Sequence, residues 1–120
     1  MKVLYKELSD GIVAAAMEVH QHLGHGFLEA VYGKALAYEL EIRGVAFEKE
    51  VLLPVNYKGK SIGKYKADFV VDQKIILELK AISHLTSAHV AQTQHYLLAT
   101  GLHLAILFNF GNPSLEHVRV

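Results

Sequence analysis

Residues 62–81 read IGKYKADFVVDQKIILELKA, and the pattern within this stretch decides how the chain is read. In its first half Tyr65, Ala67, Phe69 and Val71 alternate with Lys64, Lys66, Asp68 and Val70, the period of a half-buried strand. Its second half, from Lys74 to Ala81, is apolar and β-branched except at Glu78 and Lys80. The turn chemistry around Asp72-Gln73 joins the halves into an antiparallel hairpin.

Glu78 and Lys80 interrupt the most apolar strand of the chain, and their spacing of two puts both side chains on one face. An unpaired buried carboxylate costs several kcal/mol, so the pair needs a reason. A solvated face, or pairing of Glu78 with Lys80 or Lys66, is the ordinary one. Asp68 supplies another if the hairpin register brings it beside Glu78. A two-residue loop would pair Val71 with Lys74 and turn Asp68 to the wrong face, whereas an odd-length loop or an equivalent bulge pairs Val71 with Ile75 and sets Asp68 against Glu78. The odd loop is predicted, and the two carboxylates on opposite faces of the sheet would break the site.

Two neighbouring carboxylates repel unless a cation lies between them. Magnesium or manganese would take an oxygen from Asp68, one from Glu78, the backbone carbonyl of Leu79, and waters. Such an ion activates water and stabilises charge on a phosphodiester, with Lys80 orienting the water or balancing the phosphate. The reaction implied is phosphodiester hydrolysis.

Working outward, Val51, Leu53 and Val55 alternate as a preceding strand, closed by the turn Lys58-Gly59-Lys60. Upstream, Ser9-Asp10 looks like a helix start, with Ile12, Val13, Ala16, Val19 and Leu23 at helical spacing up to Gly24. A second helix fits Leu28 to about Arg43, stopped by Gly44. Downstream, Thr86 or Ser87 caps a third helix running to about Thr100. Leu104 to Phe108 is an apolar run suited to a buried strand, and a short last strand fits 117–120. The order α-α-β-β-β-α-β predicts an α/β (α+β) fold with a mixed sheet flanked by helices, in one domain over residues 1–120.

With 120 residues and no cysteine, the chain has room for one core, and disulfides and thiolate metal sites are excluded. Neither a signal-peptide stretch nor a membrane span is read, so a soluble cytoplasmic protein without membrane contact is expected. Twelve basic and twelve acidic residues cancel, which is unusual for a nucleic-acid binder. Locally, however, Lys58, Lys60, Lys64 and Lys66 cluster with Tyr57 and Tyr65, as phosphate contacts or as a charged hairpin edge that resists aggregation. A metal site from His20, His22 and His25 is disfavoured, because residues two apart on a helix point about 200° apart. His84 and His89 are expected nearer the site.

Asp68 followed by Glu78-Leu79-Lys80 resembles the PD-(D/E)XK nuclease superfamily, whose helix, three-stranded meander, helix and strand agree with this order. The sequence is also similar to a small family named for its GxxExxY motif, matching Gly26, Glu29 and Tyr32, the segments GIVAAAMEVHQHLG, VLLPVNYKGK and HVAQTQHYL, and the ELKA strand. The resemblance implies a restriction-endonuclease-like core with Asp68 and Glu78 as metal ligands and Lys80 as catalytic lysine. Glu29 would be an additional catalytic acid from the helical part. Gln92 and Tyr96 match a QxxxY pattern and would contact nucleic acid or phosphate, as would Tyr32 and Lys66. Ala67 stands where a proline often precedes the aspartate. The plainer alternatives are an acidic first turn at Glu29 and an ordinary polar helix flank at Gln92 and Tyr96.

The reading is a magnesium- or manganese-dependent nuclease acting on DNA, with a homodimer as a way to lengthen its groove. The alternative is a catalytically inactive nuclease-fold module that binds nucleic acid or a protein partner. No phosphate-cradling glycine loop or serine nucleophile elbow supports a small-molecule enzyme.

Overall fold

The computed structural model describes residues 4–120. Along the chain run α1 (Lys6–Leu23), α2 (Glu29–Ile42), β1 (Phe47–Tyr57), β2 (Lys60–Val71), β3 (Ile75–Lys80), α3 (Ser87–Thr100), β4 (Leu104–Asn109) and β5 (Glu116–Arg119). The strands form one sheet in the order β1-β2-β3-β4-β5. The first three make an antiparallel meander, β4 lies parallel to β3 after the crossover through α3, and β5 returns antiparallel. This is the predicted mixed sheet with flanking helices.

Lys58 and Gly59 both have positive φ, 49° and 81°, giving a two-residue turn between β1 and β2 of the kind favoured by strand twist. Pro54 is tolerated because β1 is an edge strand. β4 is buried throughout, as a central strand covered on both faces must be. One layer of the core joins α1 and α2 to Phe69, Val71, Ile75, Leu77, Leu79 and Phe108. The other joins Tyr96 and Leu97 of α3 to Tyr65, Ala67, Val70, Ile76 and Ala105. Among the described residues no helix is long and apolar enough to cross a membrane.

Two expectations are corrected. Helix α1 begins at Lys6, and Ser9 is not its cap. The Ser9 hydroxyl lies buried, donating to the Lys6 carbonyl at 3.1 Å and receiving a hydrogen bond from Arg119 of β5. Nor does β2 keep one face along its length. Tyr65 and Ala67 face α3, whereas Phe69 and Val71 face α1 and α2. β1 changes sides with it, from Phe47 in the first layer to Val51, Leu53 and Val55 in the second.

The ladder keeps its register through this reversal, Lys49 opposite Phe69 and Val51 opposite Ala67, but Glu50 and Asp68 between them are not paired. Glu50 has φ 53°. A side-chain period of two cannot change parity while every residue stays extended, so the left-handed residue marks where the pleat inverts.

Candidate active site

The site forms where the sheet opens. β2 and β3 are joined by the three-residue turn 72–74, and Val71 pairs with Ile75, the register predicted from the odd loop. The paired residues end at Phe69 opposite Leu77. One position further, Asp68 turns its carboxylate to Leu79, and Oδ2 accepts the Leu79 backbone N–H at 2.8 Å. A side chain takes the place of the next ladder partner, and the strands part.

Asp68 lines a hollow of about 360 Å³ on the α2 side, with Glu29, Gly33, Lys49, Glu50 and Leu79. Glu29 is the first residue of α2, so it serves as both the acidic first turn and a wall of this hollow. Burial raises the Asp68 pKa; the hydrogen bond from Leu79 and the charge of Lys80 work against it.

Glu78 and Lys80 project to the other side, into a hollow of about 460 Å³ lined also by Lys64, Tyr65, Lys66, Gln92 and Tyr96. The structure thus brings Gln92, Tyr96 and Lys66 to the Glu78–Lys80 face. Tyr96 stacks on Tyr65 with ring centroids 3.5 Å apart. Burial, and then the charge of Glu78, raise the Tyr96 pKa. Lys66 approaches Glu50 to 3.8 Å, and both side chains are largely exposed.

Burial pushes the Glu78 carboxyl up to about 7, although Lys80 and the backbone N–H of Asp68 favour its ionised form; Glu29 adds to the rise. Glu78 Oε1 is buried without a hydrogen-bond partner.

The expectation that Asp68 and Glu78 share one face is therefore not met: each carboxylate opens into its own hollow. That expectation assumed a continuous ladder. The charge of Glu29, on the Asp68 side, helps to raise the Glu78 pKa, and that of Lys80, on the Glu78 side, works to lower the Asp68 pKa.

Tyr32 has no surface to offer a phosphate, which corrects its assignment as a contact. It is fully buried, stacks on Phe110 at 4.6 Å, and donates its hydroxyl to the Gly24 carbonyl at 2.6 Å while accepting the Phe27 N–H. Its role in the motif is to fasten the turn between α1 and α2. The histidines also disperse. His20 is buried against the Asn112 carbonyl, His22 pairs with Glu18, and His89 closes a capping box with Thr86 at the start of α3.

Asn109 escaped the sequence reading. Fully buried at the end of β4, its Oδ1 accepts the N–H groups of Ile82 and Gly111, and its Nδ2 donates to the Ile82 carbonyl and Glu116. The Phe110 N–H adds a bond to the Lys80 carbonyl at 2.9 Å. These bonds clamp the chain leaving Lys80. A Cβ on Gly111 would stand 2.1 Å from the Ile82 carbonyl oxygen, so glycine is needed for this approach. The available signal was a polar residue closing the apolar run LAILFN.

Among the described residues no three histidine, aspartate or glutamate side chains gather into a ready metal site. Magnesium is commonly held by one or two carboxylates with several waters, which a site with fewer acidic ligands can satisfy. Asp68 and Glu78 each offer one carboxylate, but from opposite sides of the sheet, so the single ion between them that the hairpin register implied is not formed by these side chains as they stand.

A family model described as the PD-(D/E)XK nuclease superfamily matches residues 6–120. No curated protein and no solved structure matches the chain.

Proposed function

From the premise that the chain belongs to the PD-(D/E)XK nuclease superfamily, we propose that it hydrolyses phosphodiester bonds of DNA with magnesium or manganese. The observation that carries this reading is the opening between β2 and β3, where Asp68 replaces a ladder partner and Glu78 keeps a buried, unpartnered oxygen.

Asp68 and Glu78 are the carboxylate ligands in this reading, with the Leu79 carbonyl; because they open to opposite sides, the reading requires the break between β2 and β3 to let one ion reach both. In an extended strand a residue's N–H and C=O point to the same side, and the Leu79 N–H points to Asp68 on β2. Its carbonyl shares that direction, toward the opening. When bound, the cation supplies positive charge against which a phosphodiester is polarised and its developing charge stabilised.

Lys80 holds the attacking water or the phosphate, and Glu29 adds an acid from the α2 side. Gln92, Tyr96 and Lys66 form the wall that meets the nucleic acid. The Leu79 hydrogen bond fixes Asp68, so its remaining oxygen is oriented before substrate arrives. Gly26, Glu29 and Tyr32 support placing the chain in the GxxExxY branch, as one cytoplasmic domain able to extend its groove by homodimerisation.

Incubation of plasmid and single-stranded DNA with magnesium, comparing wild type with Asp68→Ala and Lys80→Ala, tests the proposal. Wild-type cleavage lost in both variants is expected. Equal activity in all three would assign cleavage to a contaminant, and no cleavage by folded wild type would favour the inactive module suggested by the neutral net charge.

A further inference from the structure

We propose that the free end of the β1–β2 hairpin grips duplex DNA beside the candidate site, with Lys58, Lys60 and Lys64 binding its phosphates. The identity of the polymer rests on the nuclease reading above; the placement of the grip rests on charge and topology. Residues 51–66 contain four lysines and no aspartate or glutamate, so in a chain of zero net charge the remainder is net negative. The positive charge is concentrated in this one element.

Of the four, only Lys66 has a carboxylate within salt-bridge distance, Glu50 at 3.8 Å; Lys58, Lys60 and Lys64 form no salt bridge among the described residues. Residues 56–64 are all exposed, including Tyr57 and Ile62 at 58% and 61%. A packing role would bury these side chains.

The topology gives this patch its reach. β2 pairs with β3 only over 69–71, so from Lys60 to Ala67 its partner is β1 alone. The result is a two-stranded ribbon running beyond the sheet, a shape that the major groove of B-form DNA admits. The deep, narrow major groove of A-form RNA does not.

Lys64 lines the same hollow as Glu78 and Lys80, which makes the basic ribbon continuous with the candidate site. From Lys64 to the turn at Lys60 the strand extends roughly 13 Å, which equals the axial rise of about four base-pair steps of B-form DNA. A duplex held there would enter from the tip and meet the opening at Lys64.

The test is duplex DNA binding between 50 and 200 mM salt, measured for wild type and for Lys58→Ala/Lys60→Ala/Lys64→Ala, with magnesium-dependent cleavage assayed in parallel. Lys6→Ala/Lys74→Ala serves as a control away from the ribbon, and thermal melting verifies that all variants fold. Loss of three phosphate contacts lowers the slope of log affinity against log salt by about 2.7, so wild type should lose about 40-fold more affinity than the triple variant over that range.

The control should keep the wild-type slope, and an A-form RNA duplex should show the smaller difference between wild type and triple variant. Wild-type cleavage with an unchanged slope in the triple variant would overturn the grip and leave the nuclease reading standing. A reduced slope without wild-type cleavage would do the reverse. Absence of DNA binding by wild type would overturn both.

Discussion

Replacing Glu78 by glutamine should stabilise the metal-free protein at alkaline pH and remove part of its pH dependence. The Glu78 carboxyl is pushed from 4.5 up to about 7, chiefly by burial. The folded protein therefore binds this proton more tightly than the unfolded chain does. Below about pH 4.5 both states hold it and no penalty arises; between 4.5 and 7 each increment of pH costs stability; above 7 the penalty is complete. The full shift corresponds to about 3 kcal/mol, to which incomplete burial and relaxation set a ceiling.

Glutamine keeps the shape and cannot ionise, so Glu78→Gln should exceed wild type by about 1–3 kcal/mol at pH 8 and lose that advantage toward pH 5. In a chain of this size each kcal/mol is worth roughly 4 °C in Tm. Urea unfolding in a chelator at half-unit intervals from pH 5 to 8 measures the effect. The difference between proteins cancels the titration of the eight histidines. Millimolar magnesium should then stabilise wild type at pH 8 and narrow the gap. A difference that stays flat from pH 5 to 8, or a variant less stable throughout, would refute the claim that Glu78 carries an uncompensated burial cost.

Tyr32→Phe removes the donor to the Gly24 carbonyl and should cost about 1 kcal/mol in chemical denaturation without changing DNA affinity; a selective binding defect would restore Tyr32 as a contact. Asn109→Ala strands the buried Ile82 peptide and the Gly111 N–H, and should lower stability by about 3 kcal/mol. Gly111→Ala must move the 80–82 backbone away from the new Cβ, so cleavage should fall in a protein that still melts cooperatively, as activity and calorimetry on one preparation would reveal.

Much of the fold was legible because its signals are local. The apolar run at Leu104 becomes the central strand β4, and Thr86 and Gly101 cap α3 at the positions their chemistry favours. The odd turn was expected in order to set Asp68 against Glu78; the turn is present, with Val71 opposite Ile75, but the two carboxylates do not meet. The start of α1 was misplaced because Ser9 is also a good helix cap. Its hydroxyl is taken instead by contacts to Lys6 and Arg119, and the latter lies at the far end of the chain.

The placement of the candidate residues was legible in part: Lys66, Gln92 and Tyr96 gather at the Glu78–Lys80 hollow, whereas Asp68 opens elsewhere. Alternation assigns Tyr65, Ala67, Phe69 and Val71 to one face only while the pleat continues, and nothing in ADFVV announces that it inverts at Asp68. The inversion needs two strands at once: Glu50 leaves the extended region on β1, and Asp68 abandons its ladder position to bond Leu79. The two come opposite each other, unpaired, only after folding, so neither could be identified from its own neighbours. A regular hairpin would place Asp68 beside Glu78 on one face, closing the sheet between them with backbone hydrogen bonds. The inversion instead leaves a break walled by a fixed aspartate, an unpartnered glutamate oxygen and an amide already in use. The irregularity that defeats the pattern is what ends the β2–β3 ladder at Phe69 and Leu77 and leaves the Leu79 amide to the Asp68 side chain.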